Sequence, residues 1–182
     1  MDKTKLGYDS LGRINKDVYF MNLCVNVAKR SLDPNTKHGS VFVDLAGGIL
    51  STGYNSPVRN SVDGKVPLAA PDKYDFFEHS ERNAIYQAAK HGTSLNDSIL
   101  YVTGLPCIDC IRGIIQSGTK KVIYGPLQSA MTSVDVYLSR FDRVVGGTGI
   151  RIRRFIYDDL LFEMNPGLKD ICDARKQVYC DW

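Results

Sequence analysis

Residues 79–124 read HSERNAIYQAAKHGTSLNDSILYVTGLPCIDCIRGIIQSGTKKVIY. Ala84, Ile85, Ala88 and Ala89 fall on one side of a helix spanning 78–91, and Gly92 stops it. Ile99-Leu100-Tyr101-Val102 follows as a short apolar, β-favouring run, the pattern of a strand. Pro106 opens a second helix that runs through Ile115 and ends at Gly118, and Lys121-Val122-Ile123-Tyr124 forms another strand. Helix and strand alternate at this spacing in an α/β sandwich with a partly parallel sheet.

The flanking sequence extends the pattern. Val18, Met21, Val25 and Ala28 recur at spacings of three and four, with Leu23, Cys24 and Val27 widening the stripe, so 16–30 reads as a helix. Asp33-Pro34-Asn35 breaks it. Val41-Phe42-Val43 and Ile49-Leu50 flank Asp44-Leu45-Ala46-Gly47-Gly48, which is a hairpin signal. Residues 55–77 carry Asn55, Pro57, Asp63-Gly64, Pro67 and Pro71-Asp72 and form a long loop, of the kind that lines a site. Beyond Pro126 the expectations are a short helix near 133–141, a strand at 149–155 and a helix near 167–178. Residues 1–14 read as a polar leader. The 182 residues fit one domain, with a core at about 16–125 and an extension at 126–182.

Composition excludes several classes. The apolar share of 43% and charged share of 24% are those of a soluble globular chain. A net charge of +3, from 23 basic and 20 acidic residues, is too small for a nucleic-acid coat or a membrane surface. No apolar run approaches the ~20 residues that span a bilayer, and Met1-Asp2-Lys3-Thr4 does not begin a signal peptide. The five cysteines are Cys24, Cys107, Cys110, Cys172 and Cys180, an odd number with one close pair. Without a secretory signal such a pair reads as a metal or redox site, and a reducing, cytoplasmic setting follows.

Two motifs carry chemistry. His79-Ser80-Glu81 lies at one helix start, and Pro106-Cys107-Ile108-Asp109-Cys110 opens the next. Cysteines three apart on a helix point the same way and can share one metal. The positive end of the helix dipole favours their thiolates. With His79 as third ligand, the set fits Zn2+ with a fourth position open to water. Glu81, two residues from the histidine, can sit beside that water and carry its proton. Taken alone, the histidine motif means nothing, and the cysteine pair is equally a redox dithiol or half of a zinc ribbon. A ribbon needs a second such pair, absent here, and the combination of the two motifs weighs toward catalytic zinc. His38 reads as packing at a strand start, His91 as a helix C-terminal cap, and Cys24 as core. Cys172 and Cys180 have no partner nearby in sequence. Arg151, Arg153 and Arg154 alternate with Ile150, Ile152 and Phe155 as a solvated strand face.

Read together, these motifs resemble the deoxycytidylate (dCMP) deaminases of bacterial and phage type, within the zinc-dependent cytidine deaminase superfamily. Asp33-Pro34-Asn35-Thr36-Lys37, Ser51-Thr52-Gly53-Tyr54-Asn55, His79 to Ile85, Leu100 to Thr103 and Pro106 to Gly118 carry the resemblance, over about residues 17–125. It implies a three-layer α/β/α sandwich around a mixed five-stranded sheet, and hydrolysis of dCMP to dUMP and ammonia. Zinc on His79, Cys107 and Cys110, with Glu81 as proton shuttle, is implied as well. Asn55 is expected near the deoxyribose, the backbone around Ser80 against the cytosine edge, and Lys37 beside the phosphate. Many such enzymes are hexamers controlled by dCTP and dTTP, with Mg2+ accompanying the triphosphate. Here Ser80 stands where alanine is usual, and Ser56-Pro57 follows Asn55 where glycine is usual.

Three functions compete at this point. One is a deaminase of free nucleotides: dCMP, dCTP or 5-substituted dCMP, with the phosphate held by Lys37 or a loop cation such as Arg59. A second is an editing deaminase of tRNA or single-stranded DNA, which needs a basic channel and exposed aromatics. The weak net charge and lack of a Lys/Arg cluster argue against it. The third is a zinc-stabilised binding module, for which Glu81 has no use.

Overall fold

A computed structural model of the chain describes residues 11–127 and 134–155. Helix α1 (Lys16–Ala28) begins where the Asn15 side chain accepts the Asp17 N–H, and it stops two residues short of the expected end. Strands β1 (Gly39–Val43) and β2 (Ile49–Tyr54) form the expected antiparallel hairpin. Its turn is held by Asp44 Oδ1, which accepts the N–H groups of Gly47 and Gly48 at 2.8 Å. The 55–77 segment is more ordered than its composition suggests. Strand β3 (Ser56–Pro57) pairs with β4 (Phe77–Glu78) and ties its ends together, with single 3-10 turns at Asp63–Lys65 and Asp72–Asp75. Then come α2 (Ser80–Lys90), β5 (Ile99–Gly104), α3 (Ile108–Gln116) and β6 (Lys121–Leu127). Helix α4 (Val134–Val145) runs four residues past the expected end, because Tyr137, Leu138, Phe141, Val144 and Val145 continue one apolar stripe. Strand β7 (Arg151–Arg154) closes the described chain. The expected helix near 167–178, with Cys172 and Cys180, lies outside the described residues.

The five-stranded sheet runs β2-β1-β5-β6-β7, antiparallel across β2-β1-β5 and parallel across β5-β6-β7. It is the mixed α/β sheet that the alternation predicts. Alternate side chains divide the core. Val41, Val43, Tyr101 and Ile123 pack with Met21, Cys24 and Val25 of α1 on one face. Phe42, Leu100, Val102, Val122 and Tyr124 pack with Ala84, Ala88, Ile111, Ile114 and Phe141 on the other. Both faces are covered, so the central strands read as continuous apolar runs. Tyr101 also donates to Asp17 Oδ1 (2.6 Å), whose other oxygen takes Arg153, so α1 is tied to β5 and β7. Among the described residues no helix is long and apolar enough to cross a membrane.

Helix α2 sits unusually near the sheet. A Cβ built on Gly53 would lie 2.3 Å from Ser80 O and 2.5 Å from Ala84 N, both backbone atoms. At Gly64, by contrast, an added Cβ meets nothing within 4 Å. Overpacking of this kind typically costs about 1–3 kcal/mol, more where backbone must move. Gly53→Ala should therefore lower the unfolding midpoint clearly while Gly64→Ala leaves it within error. Equal midpoints for the two variants in a thermal melt would show that α2 does not depend on the contact.

Candidate active site

The helix α2 starts at His79 and α3 at Cys107, each an extended residue turning into its helix. Both starts lie beside the C-terminal end of β5, where ligand sites of parallel strands form. His79 Nδ1 is 3.4 Å from Cys107 Sγ and 3.6 Å from Cys110 Sγ. Zinc bound at about 2.3 Å to sulfur and 2.0–2.1 Å to nitrogen, with tetrahedral angles, separates those donors by about 3.6 Å. All three ligand atoms lie within 4.8 Å of one another, and the donor set suits zinc. Cys107 Sγ also accepts the Cys110 N–H (3.5 Å), a helix-start contact that favours thiolate. Arg82, paired with Glu78 at 2.5 Å, reaches Cys110 Sγ at 3.9 Å and supports the second sulfur. Tyr137 donates to Pro106 O and fixes the turn from α4.

The protons of this cluster show what a dication would relieve. The Cys110 thiol donates toward Cys107, and with help from His79 this outweighs burial and pushes Cys107 down to about 3. Cys110, left holding the proton and buried, is pushed up. The hydrogen bond to Cys107 raises His79 against its own burial. Burial raises Glu81, against the pull of the nearby His79.

A cavity of about 300 Å³ lies over these groups. Its wall includes His79, Ser80 and Glu81, the segment Asn35-Thr36, His38, Asn55, Gly104-Leu105, and Lys73 and Tyr74 from the 55–77 excursion. Asn55, expected near a ligand, is in this wall, but most of its amide is committed to the chain. Oδ1 accepts His38 N–H (2.8 Å), while Nδ2 donates to Thr36 O (2.8 Å) and Asp33 Oδ2 (3.4 Å). Ser80 is in the wall as well. Lys37 is not brought there: its ammonium donates to Ser31 O at 2.6 Å. Arg59 bonds Gln87 Oε1 (2.6 Å) and lines a separate cavity of about 420 Å³. The cation in the wall beside Glu81 is Lys73, which sequence reading missed. It is 7% exposed and its ammonium lies 2.7 Å from Asp33 Oδ2. His38 Nδ1 is 3.1 Å from Thr103 Oγ1, His91 caps α2, and Cys24 is buried with Sγ donating to Tyr101 O at 3.2 Å.

Among the described residues three protein donors meet, which leaves zinc a position for water, the arrangement of catalytic rather than structural sites, and on this sheet it marks a zinc hydrolase of the deaminase class. Residues 14–126 match the cytidine and deoxycytidylate deaminase zinc-binding region, and the chain belongs to that family. A probable deoxycytidylate deaminase of Drosophila melanogaster is 33% identical over 151 residues, covering 77% of this chain and 72% of that protein. The Homo sapiens deoxycytidylate deaminase is 34% identical over 112 residues, 58% of this chain and 62% of the relative, so less than two thirds of it is spanned. The crystal structure of a cyanophage S-TIM5 dCMP deaminase in complex with dCMP and dUMP is 26% identical with a TM-score of 0.61, covering 75% of this chain and 94% of that one.

Two outcomes check the site. Protein purified without chelators should carry about one zinc per chain, and Cys107→Ser should lose it; metal-free wild type by elemental analysis would refute the ligand set. The second concerns Asp33. Burial pushes this carboxyl up, but Lys73 and the N–H groups of Asn35 and Thr36 outweigh it, leaving it below the ordinary carboxylate value. A depressed folded-state pKa adds stability that is present above the unfolded value, about 3.9, and lost as pH falls below it. Asp33→Asn leaves a buried ammonium unpaired, a change typically costing about 3–5 kcal/mol. Urea melts should show a large gap between wild type and Asp33→Asn at pH 7 that shrinks as pH is lowered through about 4. A constant gap would contradict the pairing.

Proposed function

We propose that the protein hydrolyses dCMP to dUMP and ammonia. The observation that carries this reading is one cavity wall holding both Glu81 beside the His79–Cys107–Cys110 cluster and a buried cation, Lys73. His79, Cys107 and Cys110 would hold zinc, which would lower the pKa of a bound water toward ~7. Glu81 carries one proton from the attacking water to the cytosine ring nitrogen, then carries the second, from the hydroxyl so formed on C4, to the amine, which leaves as ammonia when the C4–N bond breaks. The Ser80 backbone faces the base, the remaining acceptor capacity of Asn55 faces the sugar, and Lys73 takes over the phosphate-side role expected of Lys37. The excursion at 55–77 and Asn35-Thr36 both contribute to the cavity wall, which suits a free nucleotide better than a continuing strand.

The reading extends to regulation. We place the enzyme in the cytoplasm as a homo-oligomer, a hexamer, whose activity responds to dCTP and dTTP with Mg2+. The 420 Å³ cavity, lined by Arg30, Tyr54, Ser56, Arg59 and Asn83 among others, supports an anionic effector next to the segment that follows Gly53.

One kinetic panel tests this. Competition among dCMP, deoxycytidine, CMP, dCTP and a cytosine-containing oligonucleotide should favour dCMP, with deoxycytidine at least ~10-fold less efficient, as expected for losing a charge-assisted hydrogen bond. Lys73→Met should narrow the dCMP-to-deoxycytidine ratio. Glu81→Ala should keep zinc and lose at least ~10²-fold in rate. Repeating the dCMP curve with dCTP or dTTP and Mg2+ should shift it. Equal efficiency on deoxycytidine would sink the phosphate argument, and preference for the oligonucleotide would move the protein to the editing class.

A further inference from the structure

Behind Glu81 stand two buried hydroxyls that the reaction described above does not use. Ser80 is 0% exposed; its hydroxyl lies 2.8 Å from Ser40 Oγ and donates to Glu81 Oε2 at 3.0 Å. Ser40, also 0% exposed, sits in β1, paired with Gly53 of β2 on one side and Val102 of β5 on the other. Glu81 itself is 5% exposed. Solvent therefore does not compete for the two hydroxyls.

The direction of the chain follows from its end. In the ionised form that takes the water's proton, Glu81 only accepts hydrogen bonds. The Ser80 proton is thus committed to Glu81 Oε2, and Ser80 Oγ can only accept from Ser40. The contact between the two hydroxyls, ambiguous by itself, acquires one sense: Ser40 to Ser80 to Glu81. Resting on the reading of Glu81 as proton shuttle, we propose that Ser80, backed by Ser40, is a positioning residue that ties Oε2 to the sheet and leaves Oε1 as the oxygen that exchanges protons with water and substrate. A proton arriving on Oε1 leaves the chain intact. A proton arriving on Oε2 would compete with the Ser80 hydrogen for the same oxygen and weaken that contact. The chain therefore selects the oxygen and holds the carboxylate in one orientation, which is what proton transfer at fixed distance requires. Ser40 lies on an interior strand paired on both sides, so the orientation is referred to the sheet.

The test uses zinc-loaded wild type, Ser80→Ala, Ser40→Ala and the double variant, with dCMP kinetics, zinc content, thermal melts and high-resolution crystal structures. Losing a hydrogen bond to a charged group predicts a kcat roughly 10-fold lower for Ser80→Ala, with KM nearly unchanged and zinc retained. Ser40→Ala should lower kcat less, and should add nothing in the Ser80→Ala background, because it acts only through Ser80. In the crystal, Glu81 should hold one orientation in wild type and lose it in Ser80→Ala. An unchanged kcat for Ser80→Ala, losses that multiply in the double variant, or loss of zinc in parallel with activity would overturn the proposal. So would a Glu81 orientation unaltered in Ser80→Ala, whatever substrate the enzyme turns over. Wild type inactive on dCMP would instead refute the functional reading.

Discussion

The first turn of α2 rests on β2 with only a hydrogen atom between them at Gly53, and the active-site geometry is referred to that contact. A side chain there would lift Ser80 and Ala84, and with them His79 and Glu81 on either side of Ser80. Ala84 and Ala88 are the small residues that allow the rest of the helix to follow the same close path, both of them buried. Ser51 adds a strut by donating to Ala84 O at 2.7 Å. At the other helix start, Ile111 and Ile114 sink α3 into the same apolar layer, which sets Cys107 and Cys110 opposite His79. Apolar burial and one missing side chain thus bring together three ligands drawn from two separate helix starts.

Much of this was legible from local pattern. The ligands and Glu81 were readable because each motif is confined to a few residues at a helix start, where spacing translates directly into direction. The alternation of strands and helices gave the layers for the same reason. What escaped was non-local. Lys73 has no periodic neighbour and lies in a turn rich in polar residues, and it gains meaning only by meeting Asp33 forty positions earlier. Ser40 is an unremarkable residue in a strand until it faces Ser80. The strands β3 and β4 are two residues each, too short for alternation to register. The extra turn of α4 is hidden in the linear sequence because Arg140, Asp142 and Arg143 fall between its apolar residues, although in the helix they lie off that stripe.

The proposed exchange of Lys37 for Lys73 as the phosphate-side cation has an electrostatic logic. A cation on an exposed segment is hydrated and attracts a phosphate weakly. One taken out of water acts through a lower effective dielectric, but it costs free energy to keep there unless paired. Asp33 offsets that cost, and its second oxygen is engaged by the N–H groups of Asn35 and Thr36. The same carboxylate therefore shapes one wall of the cavity and charges another.

The short ribbon of β3 and β4 brings the two ends of the 58–76 excursion side by side at Val58 and Phe76, joined at 2.8 Å. Everything between is a detour that leaves the sheet and returns to it at nearly the same place. Because closing a loop costs only slowly more as it lengthens, such a detour can change in length and content without disturbing the layers beneath. Lys73 and Tyr74 lie within it, whereas the metal ligands and Glu81 lie outside. The architecture thus separates the metal cluster and Glu81 from one stretch of the cavity wall, and descent with modification can rewrite the second while the first stands still.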